Sequence, residues 1–381
     1  MKKKILFVTG TRADFGKLKS IIKLVKSKKK FEVSIAVTGM HMIREYGSTY
    51  TEVEKSFKEN IYKFKNQSIG DRLEIILTKT IEKFSTLVKK IQPDLIIIHG
   101  DRVESLACAL VGALNHILTA HVEGGEVSGN IDDSIRHAVT KLCHAHFVGN
   151  QKAKSRVINM GEKKKCVFNI GSADIDILLS KKIKSIKKVK KYYQIKFKNY
   201  AVLLWHPVTS EIQNLKQSTN KLVNFVNNSN YNFIVIYSNN DPGTKIILNC
   251  YKKKLDKKKN KLFQSIRFEN FLCLLKNAQF IIGNSSSGIY EAPMVGVPTI
   301  NIGNRQYKRS KIKAIKNIEI EDLNNLSLNS FLKRYKKNKR SIYGDGRTAE
   351  KLLKIIETNS FWKISRQKYF SDISNVFKKI K

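Results

Sequence analysis

No stretch of this sequence is apolar for the ~18–20 residues that a membrane-spanning helix needs, so membrane insertion is not expected. The start, Met1-Lys2-Lys3-Lys4, is basic, but the apolar run that follows, Ile5-Leu6-Phe7-Val8, is short. A signal-peptide core needs roughly 7–15 apolar residues. The segment reads better as a first buried strand, and a cytoplasmic location is expected. Cysteine is sparse and unpaired in spacing: Cys108, Cys143, Cys166, Cys250 and Cys273 form no Cys-x-x-Cys. That argues against a disulfide framework and a zinc site, and suits small buried hydrophobes in a reducing compartment. No internal repeat is present. Acidic residues are few, 31 Asp+Glu against 72 Lys+Arg, for a formal net charge of +41. Such an excess first suggests nucleic acid or an anionic membrane. Arginine is scarce as well, at 13 of the 72 basic residues. A nucleic-acid reader is expected to cluster arginines and aromatics on one face. The lysine runs Lys181–Lys191, Lys252–Lys261 and Lys333–Lys339 lie away from every motif below. They read as solvated helix faces with a general pull on an anionic ligand, and no nucleic-acid partner is expected.

What the chain does contain is a core. Of 381 residues, 41% are hydrophobic and 9% aromatic, enough to exclude a disordered chain. At roughly 100–200 residues per domain, two domains are expected. Short apolar runs alternate with amphipathic, Lys-rich stretches. The expected strands are 5–8, 33–37, 95–98, 118–121, 145–148 and 167–170, then 200–204, 233–237, 265–268, 280–282 and 299–302. The expected helices include 18–27, 73–89, 104–114, 131–141, 212–228, 243–259, 268–276, 288–295 and 348–357. Ile/Val-rich runs of four or five residues suit strands buried on both faces of a parallel sheet. Strand–helix alternation gives right-handed βαβ units. Residues 175–200 read as a linker plus an exposed helix. The expectation is an α/β protein of two parallel-sheet domains facing across a cleft. They span residues 1–174 and 175–358, with a short helix in 359–381 packing back on the first.

In open α/β sheets ligands sit at the carboxyl ends of the strands, and the chemistry-bearing residues fall there. Gly10-Thr11-Arg12-Ala13-Asp14-Phe15-Gly16-Lys17 opens a helix after the first strand. Its free N–H groups, with Arg12 and Lys17, could receive a diphosphate. His99-Gly100-Asp101-Arg102 ends a buried strand. Asp101 could simply cap the next helix, but Arg102 adds a charge with no capping role. The densest segment is 121–137, with Glu123, Glu126, Asp132, Asp133, Arg136 and His137 around Gly124-Gly125. Four carboxylates in one strand-end loop suit general acid/base work at carbon. One of Asp132 and Asp133 is accounted for by helix capping. A Mg²⁺ site from Glu123, Glu126, Asp132 and His137 is the competitor, without diagnostic spacing. Trp205-His206-Pro207 puts a histidine at a strand end of the second domain. The turn containing Asn239 is explained by turn chemistry alone. Gly283-Asn284-Ser285-Ser286-Ser287-Gly288-Ile289-Tyr290-Glu291 offers N–H and O–H donors for phosphate and, in Glu291, an acceptor for ribose hydroxyls. Arg305 could close over that end.

Taken together, these loops resemble the UDP-N-acetylglucosamine 2-epimerases, in family order over roughly the first 310 residues. The segments that carry it are 9–14, 38–41, 99–102, 123–129, 131–137, 206–209 and 283–288. The likeness is strongest to the UDP-hydrolysing branch of sialic- and legionaminic-acid synthesis. It implies a GT-B fold of two Rossmann-like domains, no nicotinamide, no metal, and a dimer or tetramer. It implies removal of the sugar C2 proton as UDP leaves C1, giving a 2-acetamidoglucal, then addition of water. By position the catalytic residues fall on Asp101, Glu123 and Asp133, with His206 facing them. Asp133 stands where the non-hydrolysing branch has glutamate. UDP-sugar contacts are implied at Arg12, Lys17, Arg102, Asn239, Ser285, Ser286, Glu291 and Arg305. Glu126, Asp132, Arg136 and His137 are expected to line the same substrate. Gly16 stands where a mammalian relative has Ser. The tail 361–370 resembles the branch acting on UDP-N,N′-diacetylbacillosamine, which tilts the expected sugar that way, with UDP-GlcNAc close behind. A GT-B glycosyltransferase and a non-hydrolysing epimerase are the enzymatic rivals.

Overall fold

The computed structural model describes residues 2–179, 185–306, 313–334 and 344–372. The lysines at 181–184 and 335–339, parts of two of the runs above, lie outside them. Among the described residues, thirteen strands form two all-parallel sheets. In the first, β1 (Lys3–Thr9), β2 (Phe31–Val37), β3 (Ile61–Lys63), β4 (Leu95–His99), β5 (Leu118–Val122), β6 (Ala145–Val148) and β7 (Val167–Asn169) run in the order 3-2-1-4-5-6-7. In the second, β8 (Ala201–Leu204), β9 (Phe233–Ile236), β10 (Asn260–Phe263), β11 (Ile281–Gly283), β12 (Thr299–Ile302) and β13 (Ile315–Ile318) run in the order 10-9-8-11-12-13. The central strands read as unbroken apolar runs because helices cover both faces. Leu95, Ile96, Ile97 and Ile98 are all fully buried.

Each sheet reverses its strand order once, between β1 and β4 and between β8 and β11. At such a point neighbouring connections leave in opposite directions and open a crevice. The two crevices face each other and bring together the loops after β1, β4, β8 and β11.

Three features differ from expectation. The strand anticipated at 265–268 lies earlier, as β10. The helix before it, Thr244–Lys254, stops at buried Leu255 instead of reaching 259. Phe233 N–H then donates to Lys259 O at 3.1 Å, starting β10 beside β9. The helix anticipated at 288–295 is a short 3-10 turn, Ser286–Gly288, and a single turn, Glu291–Met294. The edge strands β3 and β13 bury one residue between them, Ile315, and carried no apolar run to mark them.

The chain also returns to the first unit earlier than 359. Helix Thr348–Ile356 puts Ala349, Leu352, Leu353 and Ile356 into the core built on β1, β2 and helix Arg12–Lys26. Phe361 joins that core and stacks on Phe147 with ring centroids 6.0 Å apart. Asp176 caps the returning helix, accepting from Thr348 N and Ala349 N at 2.9 Å each. All five cysteines are buried and free. Among the described residues, no helix is long and apolar enough to cross a membrane.

Candidate active site

Between the two crevices lies a cavity of about 270 Å³. Fourteen of the sixteen expected site residues line it: Arg12, Lys17, Asp101, Arg102, Glu123, Glu126, Asp132, Arg136, His206, Asn239, Ser285, Ser286, Glu291 and Arg305. Asp133 and His137 do not.

The loop after β1 is more self-contained than its sequence suggested. Thr11 caps helix Arg12–Lys26 in a reciprocal capping box with Asp14. The Asp14 carboxylate accepts from Gly10 N at 2.9 Å and Thr11 N at 2.8 Å. The first N–H groups offered to an anion are therefore filled from within. Gly16 is where the second unit presses in. A Cβ there would lie 2.4 Å from Phe268 Cβ. Arg12 reaches across to Ser265 at 2.5 Å and pairs with Glu52 at 2.5 Å.

Lys17 points at carboxylates. Its ammonium is 3.1 Å from both oxygens of Glu123 and 3.2 Å from Asp174. Glu123 follows β5 with φ +65°, a left-handed conformation that few non-glycine residues adopt. This turn, followed by Gly124 and Gly125, directs its carboxylate into the cavity. Burial would raise the Glu123 pKa, but Lys17 and His99, 3.3 Å away, reverse the sign and hold it well below the usual range. Burial pushes Asp174 up to about 8, against the pull of Lys17. Glu291 is also raised by burial, and from the cavity wall its side chain reaches towards Asp174 and Lys17.

Asp101 forms an ion pair with Arg136. Its loop is fixed from behind by His121, whose Nε2 lies 2.8 Å from Gly100 O. Arg102 spans the cleft, 3.4 Å from Glu104 and 3.5 Å from Asp241. Asp132 faces the cavity and pairs with Arg305 of the opposite unit at 3.3 Å. Asp133 accepts from Ser128 N at 2.6 Å and sits 3.5 Å from His137. The capping role foreseen for one of these two acids is filled by neither: the N-cap residue is Asn130, no side chain caps the helix, and Asp133 instead ties the 123–129 loop to its first turn.

On the second unit, His206 is buried, and its Nδ1 accepts from Asn239 N–H at 3.2 Å. Burial, with Arg305 and Arg102 adding to it, holds its pKa well below 6.5. The ring is neutral and carries its proton on Nε2. Asn284 clamps its backbone through bonds of 2.7 and 2.8 Å. Glu126 is engaged by Asn150 at 2.5 Å and Tyr290 at 3.2 Å. Among the described residues, no three His, Cys, Asp or Glu side chains converge as a metal site. Reading the sequence missed Asp174, Ser172, Glu104 and Tyr290. Asp174 had a signal: it follows β7 at the same strand ends that flagged Asp101.

Residues 23–357 match the sequence model of the UDP-N-acetylglucosamine 2-epimerase family. The chain belongs to that family. It is 43% identical over 98% of its length to a Neisseria meningitidis serogroup B protein named UDP-N-acetylglucosamine 2-epimerase, all of which is covered. It is 35% identical, over 88% of its length and 90% of the relative's, to a Campylobacter jejuni protein named GDP/UDP-N,N′-diacetylbacillosamine 2-epimerase (hydrolyzing). In fold it resembles the Methanocaldococcus jannaschii UDP-GlcNAc 2-epimerase solved with UDP-GlcNAc and UDP. The TM-score is 0.80 at 21% identity, covering 93% of this chain and 99% of that one. As an epimerase-family protein with two facing parallel sheets, the molecule is GT-B-like.

Proposed function

We propose that the chain is a hydrolysing UDP-N-acetylhexosamine 2-epimerase acting for nonulosonic acid synthesis. The observation that carries this reading is the composition of the two cavity walls. Asp101 and Glu123 stand on one, and Ser285, Ser286, Arg305 and a neutral His206 stand on the other. Carboxylates suit proton transfer at carbon, and the opposite wall suits a diphosphate.

The reaction runs in two stages. A carboxylate of the first wall takes the C2 proton while the C1–O bond breaks and its electrons leave with UDP. This gives a 2-acetamidoglucal with a C1–C2 double bond. Water then adds, its hydroxyl to C1 and a proton to C2 from the other face. The products are UDP and the free 2-epimer. The His206 Nε2–H donates to the departing diphosphate, and Arg102 and Arg305 balance its charge. For these arginines to do so, their pairs with Asp241 and Asp132 must loosen. Glu291 must likewise turn from Asp174 to reach a ribose.

The sugar is proposed as UDP-GlcNAc or UDP-N,N′-diacetylbacillosamine. Residues 361–370 line no part of the interdomain cavity, so their resemblance bears on the branch and not on a contact with the sugar. The Neisseria relative is named for UDP-N-acetylglucosamine, which favours testing UDP-GlcNAc first. Purified protein is given each UDP-sugar in deuterated water. Release of UDP with a free sugar deuterated at C2 supports the proposal. Epimerised UDP-sugar without release points to the non-hydrolysing type. No turnover of either sinks the reading. A homo-oligomer is proposed alongside, and sedimentation checks it.

A further inference from the structure

Four ionisable side chains meet where the two units touch. Lys17 comes from the first helix, Glu123 from the loop after β5, Asp174 from the start of helix Ala173–Leu179, and Glu291 from the second unit. Lys17 is shared, 3.1 Å from Glu123 and 3.2 Å from Asp174. Ser172 Oγ bridges the same two carboxylates at 3.1 and 3.3 Å. Asp174 is 2% exposed and Glu291 3%. His99 faces the group from the end of β4, and Glu126 and Tyr290 line the small adjoining cavity. Three ionised carboxylates around one ammonium would leave two uncompensated buried charges, and a proton kept by one of the acids reduces them to one. The facing carboxyls of Asp174 and Glu291 are the pair placed to share it.

We propose that Asp174 is a positioning residue: it divides Lys17 between itself and Glu123, and so sets how readily Glu123 exchanges a proton with substrate. The inference rests on the hydrolysing-epimerase reading. With Lys17 committed wholly to Glu123, that carboxylate would be too weak a base. Without Lys17, it would be a buried charge lacking a partner. Asp174 draws off part of the ammonium, so Glu123 stays ionised and is a stronger base than it would be with Lys17 to itself. The proton it shares with Glu291 spares the cluster a further charge.

The test compares the full-length parent with Asp174→Asn, Asp174→Glu and Ser172→Ala. UDP release is followed across pH, and the infrared band of a protonated carboxyl is recorded without substrate at pH 7. Asp174→Asn is expected to lower kcat about tenfold, with KM changed far less. Its acidic limb should move to lower pH, because Lys17 then serves Glu123 alone. Asp174→Glu should restore most of both. The protonated-carboxyl band of the parent should be missing from Asp174→Asn. Ser172→Ala removes a hydroxyl donated to Glu123 and should move the limb the opposite way, to higher pH, while a parallel Asp174→Ser decides the matter if Asp174→Asn does not fold. An unmoved limb, an unchanged kcat in Asp174→Asn, or a band that survives the substitution overturns the proposal. No UDP release by the parent overturns the functional reading and this one with it. An active parent with an indifferent Asp174→Asn overturns only this one.

Discussion

Glu123 holds a backbone conformation that costs an ordinary residue about 1–2 kcal/mol. The surrounding turn fixes it there, and its carboxylate meets Lys17 as a result. Replacing it by glutamine keeps the shape and removes the carboxylate proposed as the base. The expected outcome for Glu123→Gln is a fall in kcat of about 10²–10⁴-fold with little change in KM, measured by UDP release. At this scale the sequence was readable where a charged residue ended a buried strand. Asp101, Glu123 and Arg102 could be placed because little but function puts charge at those positions. It was less readable where partners decide. Nothing local told that Lys17 would face acids instead of an anion, or that Asp133 would be taken by the Ser128 N–H. Asp174 stayed hidden because its neighbours lie 157 and 51 positions away, on Lys17 and Glu123.

Helix Arg12–Lys26 meets the second unit at Gly16, with no room for a side chain against Phe268. Gly16→Ala must therefore push the units apart. Its expected effect is a higher KM for the UDP-sugar and a stability loss of about 1–3 kcal/mol, read by titration and thermal unfolding. The helix Thr348–Ile356 depends on an acid far away in sequence. Asp176→Ala should cost about 0.5–2 kcal/mol, measured by denaturant unfolding, because it exposes two N–H groups at a helix start. Elements marked by unbroken apolar runs, such as β4 and β8, were legible. The Lys-rich stretch 252–261 was not, since lysine is as content in a helix as in a solvated loop. There a tertiary contact, Phe233 N–H to Lys259 O, chose the strand.

Across the whole molecule, buried histidines govern the response to acid. Burial lowers His41 to about 4, His121 to about 3 and His144 to about 4, from 6.5. The unfolded chain therefore binds protons that the folded chain refuses as pH drops below about 6.5. Their contribution is complete above 6.5 and is lost as pH falls towards 4 and below. Asp174, raised from 3.8 to about 8, works the other way and favours the fold less as pH rises across that window. His146 and His206 are lowered by burial as well, and Glu291 and Asp241 are raised; the lowered rings outnumber the raised carboxyls, so the thermal midpoint is expected to fall between pH 6.5 and 4, and a flat midpoint there would contradict it. The net charge of +41 adds a second expectation. KM for an anionic nucleotide sugar should rise with added salt as screening shortens the reach of the lysines. The return of the chain at Thr348 also fixes an order of events during synthesis. The core around β1 needs Leu352, Ile356 and Phe361 to close. These leave the ribosome after every strand of the second sheet. The unit encoded first is thus completed last, and must wait with an open flank while its partner is made.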